Sequence, residues 1–386
     1  MPRPLPFDRW AIAILLAALP LRIALATQTC LSPDEAYYLA AHRLGKTIPD
    51  HPPLTPWLAG LADGLVTLPL ELRVRLPALL LGTVISIVLV DLLRRRGGDP
   101  PAQRWAAILG SWLPLPLAGG FLLTPDTPLL LAVVVLLVIQ EATGASRWKA
   151  PAIAVTCAIG LSAKVTMLVP AMVLFWMTRP RPHRAAVAVG VLAALPLAWP
   201  SLHFQSHHAF LDHEMAIGRV SAAAAAIGAQ VALWGPAVLW LGAREAWRHA
   251  LDRWVLLLMG ALMLMSALLR EVPPEPNWFA AGAVLCVAGA AQVLPCAAVW
   301  IRITTVLLGP VPTLLLASHV MNPWLPIPAH VDPSARLHGW RDGNGLAEAP
   351  GVGPYGPAAE SCVYQGNCDE LLDKIQQVEQ NSSSAR

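Results

Sequence analysis

The chain has 386 residues, 56% of them hydrophobic and 13% charged, with a formal net charge of +3 at pH 7. A mean hydropathy of +0.55 is too apolar for a soluble domain of this size, and apolar segments of about 18 residues or more recur along most of its length, as bilayer-spanning helices do. The basic residues are divided among short loops and form no patch interleaved with aromatics, which excludes a nucleic-acid surface.

In chain order, about eleven spans are expected, near 10–27, 76–93, 104–122, 127–141, 151–162, 165–178, 185–201, 221–242, 254–269, 278–296 and 302–319. The fold class is an all-α polytopic membrane protein. The 37 Pro and 27 Gly fit such a bundle, because neighbouring helices can satisfy the backbone groups they free. No small-residue cleavage site follows the first apolar run, so it is expected to stay as a helix. The two spans flanking Lys164 are short for about 30 Å of hydrocarbon and are expected to tilt or re-enter.

The long loop 28–75 carries two shorter elements. Glu35 to Gly45 reads as a short helix, and Leu54 to Leu65 as an interfacial helix with Trp57 at headgroup depth. Prolines 52, 53 and 56 fit the start of that second helix. Residues 1–320 thus form a transmembrane module, and 321–386 a Pro- and Gly-rich tail whose one expected helix lies near 369–379. Cys362 and Cys368 in that tail are expected to pair as a disulfide. Cys30, Cys157, Cys286 and Cys296 read as packing residues.

Arginine and lysine set the sides. Arg3, Arg9, Arg94 to Arg96, Arg104, Arg147, Lys149, Arg179, Arg181, Arg184, Arg244, Arg248 and Arg253 all fall on one side of these spans, which should be the cytoplasm. Both the 28–75 loop and the tail then lie outside. So do Thr124-Pro125-Asp126, Lys164, the stretch from His203 to Arg219, and Pro274-Glu275-Pro276-Asn277-Trp278.

Several of these residues have two readings. Asp34 and Glu35 are solvated loop charge, or carboxylates held near lipid where a raised pKa suits a general base. Asp126 caps a helix or serves chemistry, and capping does not prevent the second. Lys164 snorkels to the interface or meets an anion such as phosphate. The histidines between His203 and His213, with Asp50 and His51, form a metal site, contact a sugar, or solvate a loop; their spacing matches no standard metal motif. Arg219 is a candidate phosphate fork.

Asp34-Glu-Ala-Tyr-Tyr38, Asp50-His-Pro-Pro-Leu54, Arg75-Leu-Pro-Ala78, Thr124-Pro-Asp126, Gly160-Leu-Ser-Ala-Lys164 and Pro276-Asn-Trp278 occur in that order. The set resembles the GT-C-fold glycosyltransferases of the dolichyl-phosphate-mannose–protein mannosyltransferase type, glycosyltransferase family 39, over roughly residues 10–340. Bacterial relatives of that family include the aminoarabinose transferase acting on lipid A. The resemblance implies a bacterial inner-membrane enzyme that moves a sugar from a polyprenyl-phosphate donor to a lipid, glycan or protein acceptor on the external face. It implies Asp34 as base with Glu35 beside it, Asp126 as second acid, and Lys164 at the donor phosphate. Tyr37, His51, Asn277 and Trp278 are the expected substrate contacts. A divalent metal would fall on Asp50, His51, His208 and His213. A phosphate leaving group needs cationic help, which Lys164 and Arg219 can supply, and direct displacement would invert the anomeric centre. The chain is short for the family and carries no sizeable soluble domain, so the acceptor does not carry over. The alternatives are a lipid-linked sugar carrier or flippase without enzymatic activity, or an accessory scaffold.

Overall fold

The computed structural model describes residues 6–142, 147–178, 181–208, 217–270, 273–329, 331–345 and 356–374, with the main chain alone at 205–208. Helix makes up most of every expected apolar segment, with breaks at Leu113 in 104–122, Gly235 in 221–242 and Gly309 in 302–319, and no strand occurs among the described residues. The helices are α1 (Arg9–Gln28), α2 (Pro33–Arg43), α3 (Leu54–Leu61), α4 (Leu70–Arg95), α5 (Pro100–Trp112), α6 (Pro114–Ala118), α7 (Asp126–Glu141) and α8 (Lys149–Ala163). They continue as α9 (Leu168–Met177), α10 (Arg181–His208), α11 (Arg219–Trp234), α12 (Pro236–Ala246), α13 (Ala250–Arg270), α14 (Ala280–Val293), α15 (Val299–Leu308), α16 (Pro310–Met321) and α17 (Gly356–Gln365). Many prolines open helices: α2, α5, α6, α12 and α16 each carry Pro in the first turn, where the missing N–H costs nothing.

Among the described residues, six helical segments are long and apolar enough to cross a membrane: Arg9–Gln28, Leu70–Arg95, Arg181–Phe204, Ala250–Arg270, Pro276–Cys296 and Val299–Met321. The expected straight span over 221–242 is corrected by the structure, because α11 and α12 meet at 95°. Gly235 causes the break. Its φ of 79° lies in the left-handed region, and Pro236 then restarts the helix. α7 and α8 are shorter, at 16 and 15 residues. Small residues let helices approach closely, as membrane packing favours: a Cβ on Gly242 of α12 would lie 1.9 Å from the Cys286 carbonyl oxygen of α14.

One apolar core runs through the long helices. A second joins Tyr37, Tyr38 and Leu39 of α2 to Ala59 of α3, Val74 and Ala78 of α4, and Ala358, Ala359 and Cys362 of α17. On α3, Thr55, Pro56 and Ala59 are buried while Trp57 and Leu61 are exposed, the division expected of an interfacial helix. The tail departs from expectation. Helix does run through 369–374, but α17 precedes it and packs on α2. Its Ala-Ala-x-x-Cys face is too short to stand out in sequence and gains its stability from that contact. A disulfide joins Cys362 within α17 to Cys368 just beyond it, and of the four free cysteines Cys30, Cys157 and Cys286 are buried while Cys296 is exposed.

Candidate active site

The start of α2 shows why adjacent carboxylates have different roles. Ser32-Pro-Asp-Glu35 is a capping box: Ser32 Oγ accepts from the Glu35 N–H at 3.3 Å, and Glu35 Oε2 accepts from the Ser32 N–H at 2.8 Å. Glu35 is fully buried and also accepts from the Leu123 N–H at 2.9 Å and from Arg75 Nη2 at 2.7 Å. Arg75, equally buried, spends its remaining donors on the carbonyls of Ala26, Thr29 and Cys30 and on Thr29 Oγ1. Both carboxylate oxygens of Glu35 are thus engaged in holding the fold. This pair ties α1, α2, α4 and the segment before α7 into one corner.

Asp34, one residue earlier, points to the other side. Its side chain is 31% exposed, and the Arg336 guanidinium approaches it to 3.8 Å. Protein crowding pushes its carboxyl above the ordinary range. Arg336 opposes that shift most strongly, Glu275 and Asp50 add to it, and His51 counters it. Asp50 is raised too, by burial first, with His51 opposing. His51 lies 4.0 Å from Asp50 and edge-on to the Tyr38 ring, with centroids 5.8 Å apart. Tyr37 is buried beneath, its phenol pushed upward by burial and by Asp50. Acidic charge therefore crowds the partly exposed Asp34 carboxylate, which faces a cation.

A second cluster is built from three separate helices. Lys164, at the end of α8, donates to both Asp126 oxygens, at 2.9 and 3.1 Å. Asn277 Nδ2 donates to Asp126 Oδ2 at 2.7 Å. Lys164 and Asp126 are 4% and 5% exposed, so each charge depends on the other. Asp126 opens α7 in its first turn, where its charge suits the helix dipole. Gln230 of α11 fixes the Asn277 segment by donating to the Pro276 carbonyl at 2.8 Å.

Two short covalent paths join the clusters. Leu123, bound to Glu35, is three residues before Asp126. Glu275, which acts on Asp34 and Asp50, is two residues before Asn277. Trp278 is half-buried beside Asn277, and Arg219, the first residue of α11, is exposed. His208 and His213 lie outside the described side chains. Among the described residues no three His, Cys, Asp or Glu side chains group so as to hold a metal ion.

Sequence reasoning assigned no role to Arg75, Glu275, Arg336 or Glu360. For Arg75 the Ser-x-x-Glu spacing was a usable signal, since a buried capping glutamate needs a cation. Glu360 of α17 is 2% exposed, and neither carboxyl oxygen has a hydrogen-bond partner among the described residues. Burial pushes it up to about 9, helped by the Glu35, Glu71 and Asp34 carboxylates and opposed by Arg75. The folded state therefore keeps a proton that an unfolded glutamate releases near 4.5. Stability should then fall as pH rises from about 4.5 to about 9, with roughly 3 kcal/mol lost by pH 7. Glu360→Gln keeps the neutral shape and should remove this slope, giving a higher Tm than wild type at pH 8 and an equal one near pH 4.5. Thermal unfolding in lipid between pH 5 and 9 checks it, and parallel slopes would refute the neutral carboxyl.

This architecture is that of a polytopic membrane protein with the GT-C fold. Over 95% of its length the chain matches the crystal structure of ArnT from Cupriavidus metallidurans in the apo state, with TM-score 0.59, 16% identity and 77% of that chain covered. It matches ArnT from the same organism bound to undecaprenyl phosphate with TM-score 0.55 and 16% identity, over 95% of this chain and 72% of that one. Residues 50–204 match the family described as dolichyl-phosphate-mannose-protein mannosyltransferase. No curated protein sequence matches the chain.

Proposed function

We propose that this protein is an inner-membrane glycosyltransferase that moves a sugar from a polyprenyl-phosphate carrier to an acceptor hydroxyl on the non-cytoplasmic face. The observation that carries the reading is the buried Asp126–Lys164–Asn277 contact, assembled from three helices and linked at both ends to the Asp34 pocket. Scaffolds rarely retain a desolvated lysine unless an anion visits it. The match over residues 50–204 and the fold shared with a protein crystallised with undecaprenyl phosphate point the same way.

In this mechanism Asp34 takes the acceptor proton as the hydroxyl oxygen attacks the anomeric carbon. The bond to the carrier phosphate breaks on the opposite side, so the anomeric centre inverts. Lys164 meets the departing phosphate, its ammonium held in place by Asp126 until the anion arrives, and Arg219 at the head of α11 offers a second cation. Burial of Lys164 and Asp126 screens that pair from water, which strengthens its charges. Asn277, Trp278, Tyr37 and His51 line the approach for the sugar.

Purified protein in lipid, given polyprenyl-phosphate radiolabelled in the sugar and a membrane extract as acceptor source, should move label to an acceptor and release polyprenyl phosphate. Donor flipped across the bilayer without transfer would support the carrier alternative instead. Lys164→Met should weaken donor binding at least about tenfold and destabilise the fold by about 3–5 kcal/mol, because Asp126 is left buried and uncompensated. Adding Asp126→Asn should restore the Tm but not transfer. Recovery of both would make the pair purely structural.

A further inference from the structure

The tail does more than trail from the last membrane helix: it is seated on the corner that carries Asp34. His319 of α16 accepts from the Trp324 and Leu325 N–H groups on Nδ1, which leaves Nε2 to donate to Asp332 at 3.0 Å. Asp332 Oδ1 in turn accepts from the Ser334 N–H and hydroxyl, both at 2.8 Å. The next residues are gripped from both sides. The Leu337 carbonyl accepts from the Cys30 N–H at 2.9 Å, and the Arg336 carbonyl accepts from Trp340 Nε1 at 2.8 Å. Trp340 is buried, and a Cβ on Gly345 would collide with its indole at 2.1 Å. Arg341 and the Tyr364 hydroxyl both bind Glu71 Oε1, at 2.6 and 2.9 Å, and Tyr364 also accepts from the Leu31 N–H.

These bonds fix the Arg336 backbone within one residue on its C-terminal side and at its own carbonyl. Its guanidinium is delivered by a rigid strap and not by a loose end. We infer that Arg336 is a positioning residue for the proposed transfer, holding the Asp34 carboxyl in place through the ion pair that the strap presents. The inference rests on the glycosyltransferase reading for its catalytic consequence, although the ion pair itself does not.

The charge count around Asp34 explains why a counter-charge is needed. Asp50 and His51 act on it from the loop after α2 and Glu275 from the segment before α14, while Glu35 on its own helix is neutralised by Arg75 and Glu360 of α17 is protonated and adds no charge. Among the described residues Arg336 is the cation that acts on it most strongly. Without it, burial and like charge would keep Asp34 protonated to higher pH, and a protonated carboxyl cannot accept the acceptor's proton.

The test uses the full chain in lipid and two readouts on wild type, Arg336→Gln and Arg336→Lys. The first is label transfer from the radiolabelled polyprenyl-phosphate donor between pH 5.5 and 9. The second needs no turnover: the pH midpoint at which Asp34 becomes reactive to a hydrophobic carbodiimide, which modifies protonated carboxyls, read by mass spectrometry. Arg336→Gln should move the acid limb of transfer and the Asp34 midpoint upward together by about one pH unit, a rate loss of about tenfold below the limb. Its rate should recover toward pH 9, its donor KM should stay unchanged, and Arg336→Lys should restore both profiles. An unchanged midpoint in Arg336→Gln overturns the inference, as does a rate loss equal at every pH. A shifted midpoint in a protein whose wild type transfers no label upholds the ion pair and defeats the transferase reading.

Discussion

Asp34→Asn should lower sugar transfer by about 10²–10⁴, the range removed with a general base, while donor binding stays near wild type. Asparagine keeps the size and the hydrogen-bonding face of the side chain, so the α2 corner should fold unchanged; the capping work is done by Ser32 and Glu35. The pH profile adds a signature. Asp34 titrates above the usual carboxylate range because its pocket is crowded and shares charge with Glu275 and Asp50. The active form is the deprotonated one, so wild-type activity should fall as pH drops through that raised value. The residual activity of Asp34→Asn should lack this limb. A variant retaining more than a tenth of the wild-type rate would remove Asp34 from the chemistry.

Arg75→Gln should give the largest loss of folding. Arg75 and Glu35 are both completely buried, and removing the cation leaves a carboxylate facing Leu123 and Ser32 with no counter-charge. Breaking one partner of such a pair costs about 3–5 kcal/mol. Three carbonyls, those of Ala26, Thr29 and Cys30, also lose their donor. Arg75→Lys should rescue little, since an ammonium cannot reproduce the planar fork that reaches Glu35 and the α1 terminus together. Thermal unfolding and limited proteolysis in lipid measure both variants. A Tm for Arg75→Gln within a degree of wild type would show that the corner does not depend on this pair.

The bundle was legible from hydropathy because each apolar run must be helical in lipid. The segments hardest to place were those where a local residue overrides the pattern. Gly235-Pro236 sits inside an unbroken apolar stretch, and only the backbone conformation of Gly235 turns that stretch by 95°. Asp126, Lys164 and Asn277 stood out in the sequence as polar groups in apolar surroundings, and they do meet. Their mutual contact was not readable, since residues 126, 164 and 277 are brought together by packing that no spacing encodes. Glu35 shows the opposite problem. Its place beside Asp34 suggested shared chemistry, whereas the Ser32-x-x-Glu35 spacing marked it for a helix cap. The tail was least legible: α17 has an apolar face of a few small residues, and its partner α2 lies over 300 residues earlier.

That separation has a consequence for how the protein is made. Cys30 and Leu31 find their partners in Leu337 and Tyr364, so the first loop waits, with backbone groups and the Glu35 corner uncovered, until nearly the whole chain has been synthesised. A ribosome that stops early leaves a bundle with its helices in place but without the strap, and such a product lacks the arginine facing Asp34. Completion of the pocket is thus coupled to completion of translation, and a truncated copy in the membrane would be present but unarmed.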